Sequence, residues 1–253
     1  MLSCIHGMLG RKPVDHAKYR ALPRLATFMT AQLPPPPASW SYIGGITNWG
    51  MMLNASLGCC TIATAGHLRM GWKQSSTGST IVVPDSAILT AYEAVSGYNP
   101  ATGANDDGAA VIDVLNYWQD TGIDGNKIAG YVAIDPTNQL EVMQAIYLFG
   151  GVYAGVNLPQ SAETETSQGR PWDWDFWSLV IGGHAIPYLA YGAGGVTAIT
   201  WGAAQDATWS FVQHRTEELY AIVDDDFFDA AGKTAGGLDK PALFNAMQSL
   251  RAA

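Results

Sequence analysis

Residues 54–63 have the sequence NASLGCCTIA, in which a glycine turn precedes two cysteines and the start of a predicted helix. Cys60 is expected to open this helix, whose apolar pattern continues to about residue 74. The free N–H groups and partial positive charge at a helix N-terminus lower the pKa of a thiol and favour the nucleophilic thiolate. Asn54 lies on the incoming loop, where its amide could donate to a developing oxyanion. The stretch therefore predicts a nucleophile at Cys60.

Two later stretches supply partners for such a nucleophile. His184 begins a predicted strand within the sequence GGHAI, where the neighbouring glycines leave room for a substrate backbone, and it is the candidate general base. Thr200 lies in the sequence TWG at the end of another predicted strand, and its hydroxyl could hold the imidazole in one tautomer. The residues expected to line a substrate groove flank these motifs or precede His184 in an aromatic loop: Gly58, Trp177, Gly183 and Trp201. The aromatic loop is compatible with either a packed lid or one wall of the groove.

These motifs, in this order, resemble those of the papain-like cysteine peptidases. In that family a Gln lies six positions before the nucleophile, a spacing that Asn54 and Cys60 match. The family's Gly/Asp-His-Ala motif, followed by a Gly-Tyr-Gly hairpin, is matched by His184-Ala185 and Tyr191-Gly192. The family's Asn-Ser-Trp-Gly motif is represented by Thr200-Trp201-Gly202. The resemblance covers roughly residues 40–215. A looser likeness connects the chain to bacterial and phage-encoded papain-like proteins with an Asn…Gly-x-Cys motif.

The resemblance implies an α+β fold in which the Cys60 helix packs on a C-terminal antiparallel sheet or barrel. The residue patterns agree, since predicted helices come first and predicted strands later. Helices are expected at 60–74, 85–96, 109–120 and 136–148, with Asp135 as a candidate N-cap for the last, and again at 216–223 and 239–250. Strands are expected at 151–158, 184–191, 196–201 and 208–213. This pattern divides the main domain, 39–253, into a helical lobe at 39–149, a β lobe at 150–215 and terminal helices at 216–253.

Residues 1–38 are predicted to form an extended, basic, proline-rich arm. Five of the 13 basic residues lie within 14 positions of this segment: Arg11, Lys12, Lys18, Arg20 and Arg24. Prolines interrupt regular structure, and Pro34–Pro37 favour polyproline II, although a short helix at 23–32 would place apolar side chains on one face. We expect the arm to contribute little to the core and to dock on the body or on a protein partner.

Composition excludes several classes of protein. The net charge of −9 makes the chain a poor general binder of nucleic acid or anionic membrane. Neither a secretory signal nor an apolar run of membrane-spanning length is expected, which favours a cytoplasmic or virion-associated location. Three cysteines cannot form a disulfide framework. No cofactor is expected, and His67 beside Cys60 provides too few ligands for a metal site.

Two functions remain open from the sequence. The first is a cysteine hydrolase, a peptidase or amidase, in which Cys60 attacks a peptide or amide carbonyl, His184 transfers protons and Asn54 contributes to the oxyanion hole. The second is a catalytically weakened papain-like structural protein of an assembly such as a phage particle, with residues 1–38 making the partner contacts. The second alternative follows from two departures from the family pattern, namely the missing Asn at the position of Thr200 and the apolar Cys59 before the nucleophile.

Overall fold

A computed structural model describes residues 7–28, 35–234, 237 and 239–241. Its helices are α1 (His16–Ala21), α2 (Leu25–Phe28), α3 (Cys60–Thr77), α4 (Asp85–Ser96), α5 (Val111–Asp120), α6 (Gln139–Phe149), α7 (Ser161–Ser167) and α8 (Trp209–Arg215), with a 3₁₀ turn at Asp225–Phe227. Its strands are β1 (Trp40–Ser41), β2 (Gly130–Ala133), β3 (Val152–Pro159), β4 (Val180–Gly192), β5 (Gly195–Thr200), β6 (Ala203–Thr208) and β7 (Thr216–Val223). Helix predominates before β3 and strand after it, which confirms the α+β prediction.

The described strands form one antiparallel sheet with the order β2-β7-β3-β4-β5-β6, and β1 pairs with the end of β4. The long strand β4 runs through the middle and pairs with β3 and β5. His184 lies opposite Val156 of β3, close to the N-terminal end of β4. The sheet therefore holds His184 on a strand that is supported on both sides.

The helix that begins at Cys60 is central to the fold. Every residue of α3 from Cys60 to Trp72 is buried, because the helix packs on the sheet along β4 and is covered by α4 and α5. A helix that is buried on all sides is a core element, and here the buried stretch includes even His67 and Arg69. It ends at Gly78, whose φ of 72° is the left-handed conformation that favours glycine after a helix. The packing of the cysteine helix on the sheet confirms the predicted arrangement.

The helix α6 begins later than the sequence suggested. Asn138, not Asp135, is its N-cap, and the Asn138 side chain accepts a hydrogen bond from the Glu141 N–H. Asp135 instead accepts hydrogen bonds from the backbone N–H and the hydroxyl of Thr137, within its own turn. Two residues with capping side chains compete here, and the one immediately before the first helical residue is the cap.

The predicted secondary structure after residue 207 is wrong in two places. The segment expected to be a strand at 208–213 is helix α8, which Thr208 caps by accepting a hydrogen bond from the Phe211 N–H. The segment expected to be a helix at 216–223 is strand β7, buried between β2 and β3. Its charged residues favour helix locally, and pairing on both edges overrides that preference. The helix expected at 239–250 falls almost entirely outside the described residues.

The lobe boundaries also differ from those expected, because β2 from the predicted helical lobe pairs with β7 from beyond the predicted β lobe.

The N-terminal segment differs as well. It contains α1 and α2, and Tyr19 and Leu25 are part of the hydrophobic core. Tyr19 donates a hydrogen bond to the Ile134 carbonyl, and its ring packs edge-on against Tyr220. Within the described residues, no helix is both long and apolar enough to cross a membrane.

Candidate active site

The loop that leads into α3 is tightly constrained. Met52 and Leu53 have φ values of 48° and 63°, a left-handed conformation that costs non-glycine residues energy and that the surrounding structure must enforce. The Gly58 N–H donates a 2.8 Å hydrogen bond to Asp106 Oδ1, which also accepts from the Tyr92 hydroxyl. These contacts fix the position from which Cys60 begins its helix.

His184 is held from two directions. Its Nε2 lies 2.8 Å from Thr200 Oγ1, and its ring stacks on Trp201 with 4.6 Å between the ring centroids. Trp201 and Gly202 both have positive φ in the two-residue turn between β5 and β6, as a tight hairpin turn of the primed type requires. The turn thus brings the Thr200 hydroxyl and the Trp201 indole to the same imidazole.

The other imidazole nitrogen, Nδ1, is buried and has no hydrogen-bond partner among the described residues. His184 and Cys60 line the same narrow cavity of about 10 Å³, together with Asn54, Thr200 and Trp201. A buried polar nitrogen without a partner is uncommon and calls for a physical explanation. His184 thus has one ring nitrogen engaged by Thr200 and one without a partner, and it lines the same cavity as Cys60.

Burial sets the protonation states of this pair. It raises the pKa of the Cys60 thiol to about 11, although N–H groups of Ala185 and Gly10 and the charge of Arg11 act in the opposite direction. Burial, followed by the charge of Arg11, lowers the pKa of His184 to about 3. Near neutral pH the site therefore holds a thiol and an uncharged imidazole in this conformation.

The cleft is filled by the chain's own residues 7–12. The Met8 N–H donates to the Asn54 carbonyl, and the Met8 carbonyl accepts a 3.0 Å hydrogen bond from Asn54 Nδ2. Further along, Arg11 N–H donates to the Gly183 carbonyl and Lys12 N–H donates to the Ala109 carbonyl. The amide predicted to serve an oxyanion hole thus binds a peptide carbonyl of the segment that covers Cys60.

Glycines make this close approach possible. A Cβ on Gly10 would overlap the Gly58 carbonyl and lie 2.6 Å from the Gly58 Cα, and a Cβ on Gly7 would overlap the Trp201 ring. On the other side, the Gly10 carbonyl accepts from the Ala109 N–H at 2.9 Å. Any side chain at position 10 would therefore force the segment away from the cleft.

The sequence predicts half of the residues that line the cavity and none of those that fill it. Gly58 and Gly183 contact the segment, whereas Trp177 is 83% exposed on the preceding loop and does not line the cavity. Of the other aromatic residues in that loop, Trp172 is fully buried. The sequence predicts that the basic segment docks on the body or on a partner, and it does not say which residues of the body it meets. The glycine at position 10 was the available signal, and nothing local indicated where it would lie.

The remaining cysteine and histidine side chains near the cavity have structural environments. Cys59 is fully buried, its thiol contacts the Met52 carbonyl at 3.3 Å, and burial raises its pKa further than that of Cys60. His67 Nε2 lies 3.1 Å from the Gly50 carbonyl, and burial lowers its pKa to about 4. In the part of the chain that the structure describes, no group of three or more His, Cys, Asp or Glu side chains could hold a metal ion.

Comparison by sequence finds no matching family model and no matching curated protein. Comparison by structure finds many matches among solved proteins, three of which illustrate the range. Xylellain, a cysteine protease from Xylella fastidiosa, superposes with a TM-score of 0.62 at 12% identity, covering 87% of this chain and 97% of its own. Procathepsin B from Trypanosoma congolense gives 0.58 at 10% identity, covering 86% of this chain and 87% of its own. Digestive procathepsin L 3 of Tenebrio molitor gives 0.54 at 13% identity, covering 86% of this chain and 75% of its own.

All three are papain-like cysteine proteases or their proforms, and each aligns along most of this chain. They provide no support for the looser likeness to phage-encoded proteins. At this level of identity the similarity concerns the fold, and the order of elements agrees with it, since a buried cysteine-bearing helix packs on an antiparallel sheet that carries the histidine. The chain therefore adopts the papain-like fold that its motifs predicted.

Proposed function

We propose that this chain is a cysteine hydrolase, a peptidase or amidase, that is held latent by its own residues 7–12. The observation that carries the proposal is the arrangement of His184. Thr200 engages its Nε2, Trp201 supports its ring, and its buried Nδ1 has no partner among the described residues. His184 and Cys60 line the same cavity. A structural histidine in a core would be expected to satisfy both nitrogens.

The chemistry follows from these positions. Once substrate replaces the segment, the Cys60 thiol transfers its proton to His184, and the thiolate attacks the substrate carbonyl. Asn54 Nδ2 and the backbone N–H of Cys60 stabilise the oxyanion, and the protonated His184 then gives its proton to the leaving amine. Water hydrolyses the resulting thioester with His184 as the base. Thr200 keeps the imidazole in one orientation through these steps, a role that a hydroxyl can fill in place of an amide.

Latency is supported by the contacts of the segment. Cys60 is only 1% exposed, and the Asn54 amide is already bound to the Met8 carbonyl, so a substrate carbonyl cannot reach either group until residues 7–12 move. Removal of the segment would also admit water, which lowers the desolvation that now keeps both Cys60 and His184 uncharged. Two of the three compared structures are named as proforms of their enzymes.

The test is hydrolysis of casein and of a fluorogenic peptide library by the full chain and by its Gly10→Ala variant. We expect little turnover by the parent chain and clear turnover by Gly10→Ala, with both abolished by Cys60→Ala. A folded Gly10→Ala chain that hydrolyses none of these substrates would favour the second function, a papain-like structural protein of an assembly.

A further inference from the structure

The side chain of Arg11 is buried in a pocket made of hydrogen-bond acceptors. Its guanidinium is 1% exposed and forms ion pairs with Glu217 at 2.7 Å and with Glu218 at 3.1 Å. The same group donates to Asn157 Oδ1 at 2.6 Å and approaches the Val156 carbonyl at 3.4 Å. A planar fork of N–H donors is therefore matched by acceptors on two strands, β3 and β7.

The pocket lies beside the part of β4 that carries His184. The backbone N–H of Arg11 donates to the carbonyl of Gly183, which immediately precedes His184, and Asn157 pairs with Gly183 across β3 and β4. Gly155 leaves the space for the arginine stem, since a Cβ there would lie 2.6 Å from Glu218 Cγ and 2.8 Å from Arg11 Cδ. A peptide that places a side chain in this pocket therefore also runs past Cys60.

Departure of the segment would leave the pocket without its cation. Glu218 is 2% exposed, and its other oxygen accepts from the Tyr220 hydroxyl at 2.6 Å, so it is not free to swing toward solvent. A buried carboxylate without a counter-charge is strongly unfavourable. The departure of residues 7–12, which exposes Cys60, therefore also leaves an empty position for a positive charge.

We propose that the pocket formed by Glu217, Glu218, Asn157 and Val156 selects an arginine side chain of the substrate, and that Arg11 occupies it in the latent chain. The inference rests on the proposed function for its catalytic consequence. The ligand class is a guanidinium-bearing peptide, because several acceptors surround one planar group. An ammonium offers a single compact centre and cannot reach all of them at once.

The first test measures the pocket without catalysis. In the full chain, Arg11→Ala empties the pocket, and ethylguanidinium is added as the probe, with ethylurea as its neutral counterpart. We expect ethylguanidinium to raise the melting temperature of Arg11→Ala by about 2–5 °C more than it raises that of the parent chain. Ethylurea should produce no such difference. Adding Glu218→Gln should abolish that rise, and adding the exposed Asp120→Asn should leave it unchanged.

Arg11→Gln, which keeps most of the aliphatic stem, serves as the second variant if Arg11→Ala does not fold. Folding of either variant only in the presence of ethylguanidinium would also support the pocket. An equal response to ethylguanidinium and ethylurea, or no response in either variant, would overturn it.

The second test measures selection. Fluorogenic peptides that carry either arginine or citrulline at one position are compared with Gly10→Ala as the enzyme. We expect kcat/KM to favour arginine by about 30-fold or more at the position that enters the pocket, and Glu218→Gln to remove most of that preference.

The two tests separate the two proposals. Hydrolysis without an arginine preference would overturn the pocket's role in selection and leave the hydrolase intact. Absence of all hydrolysis would count against the hydrolase, and the response to ethylguanidinium would still decide whether the pocket takes a guanidinium group.

Discussion

Substitution of Gly10 by alanine is expected to open the site. The added Cβ would overlap the Gly58 carbonyl, and the Gly58 backbone is fixed through its hydrogen bond to Asp106, so the conflict cannot be relieved by a side-chain rotation. The segment of residues 7–12 should therefore leave the cleft. Gly44→Ala is the matched control, because a Cβ on Gly44 meets no atom within 4 Å.

The size of the effect follows from the Cys60 thiol. With its pKa at about 11, only about one thiol in 3,000 is ionised near pH 7.5, whereas an ordinary thiol with a pKa of about 8.5 is ionised about one time in ten. The thiolate fraction thus rises about 300-fold on exposure, and the accompanying loss of intrinsic nucleophilicity reduces the gain to about 20-fold. Improved access of the reagent and pairing with a protonated His184 act in the same direction, so we expect Gly10→Ala to react about 20-fold faster than Gly44→Ala, or faster still.

The assay is the reaction rate of Cys60 with dithiodipyridine near pH 7.5. A background of Cys4→Ser and Cys59→Ser leaves Cys60 as the single thiol of the chain. Circular dichroism and thermal unfolding establish that each variant is folded. A folded Gly10→Ala chain that reacts at the same rate as Gly44→Ala would refute the conclusion that residues 7–12 restrict access to Cys60.

Three further predictions concern His184. In the Gly10→Ala chain, His184→Ala should slow the dithiodipyridine reaction about tenfold or more near neutral pH, because no imidazolium remains to stabilise the thiolate. The control His214→Ala, which changes an exposed histidine, should leave the rate unchanged. Equal rates with and without His184 would show that no ion pair forms. Thr200→Ala should lower the free energy of unfolding in urea by about 1–3 kcal/mol, since it leaves the buried Nε2 unpaired, and Thr200→Ser should retain most of the stability; indifference to both changes would contradict the hydrogen bond. The free energy of unfolding of the parent chain should fall relative to that of His184→Gln as pH drops from about 6.5 toward 3. The reason is that the imidazole binds a proton in the unfolded chain and does not in the folded one, where its pKa is lowered to about 3. A difference between the two chains that is independent of pH would contradict burial of the uncharged form.

Half of the cavity-lining residues, Cys60 and His184 among them, could be predicted because their signals are local. Cys60 follows a glycine turn at the start of a helical pattern, and His184 stands between glycines at the start of a strand pattern, so neighbouring residues define each position. The order of the motifs along the chain then brings them together within one fold. The position of Trp177 could not be derived in this way, since an aromatic loop has the same composition whether it packs or is exposed.

The acidic pocket and its occupant could not be predicted for a different reason. Arg11 meets Glu217 and Glu218 across more than 200 residues of sequence, and contacts of this range have no local signature. The two glutamates also made β7 resemble a helix, so the strand that carries them was not expected in the sheet. A segment rich in basic residues is exposed to solvent in most proteins. Here Arg11 of that segment is buried, because the fold brings Glu217 and Glu218 to it.

The most direct measurement is the mass of the Gly10→Ala chain during turnover of a library of peptide p-nitrophenyl esters. A latent cysteine hydrolase predicts a transient mass increase equal to the acyl part of a substrate, mapped to Cys60 by peptide sequencing. The adduct should be absent in Cys60→Ala, and it should form much more slowly in His184→Ala. A folded Gly10→Ala chain that never acquires an acyl group on Cys60, or that acquires it equally fast without His184, would contradict the assignment of Cys60 and His184 as a catalytic pair.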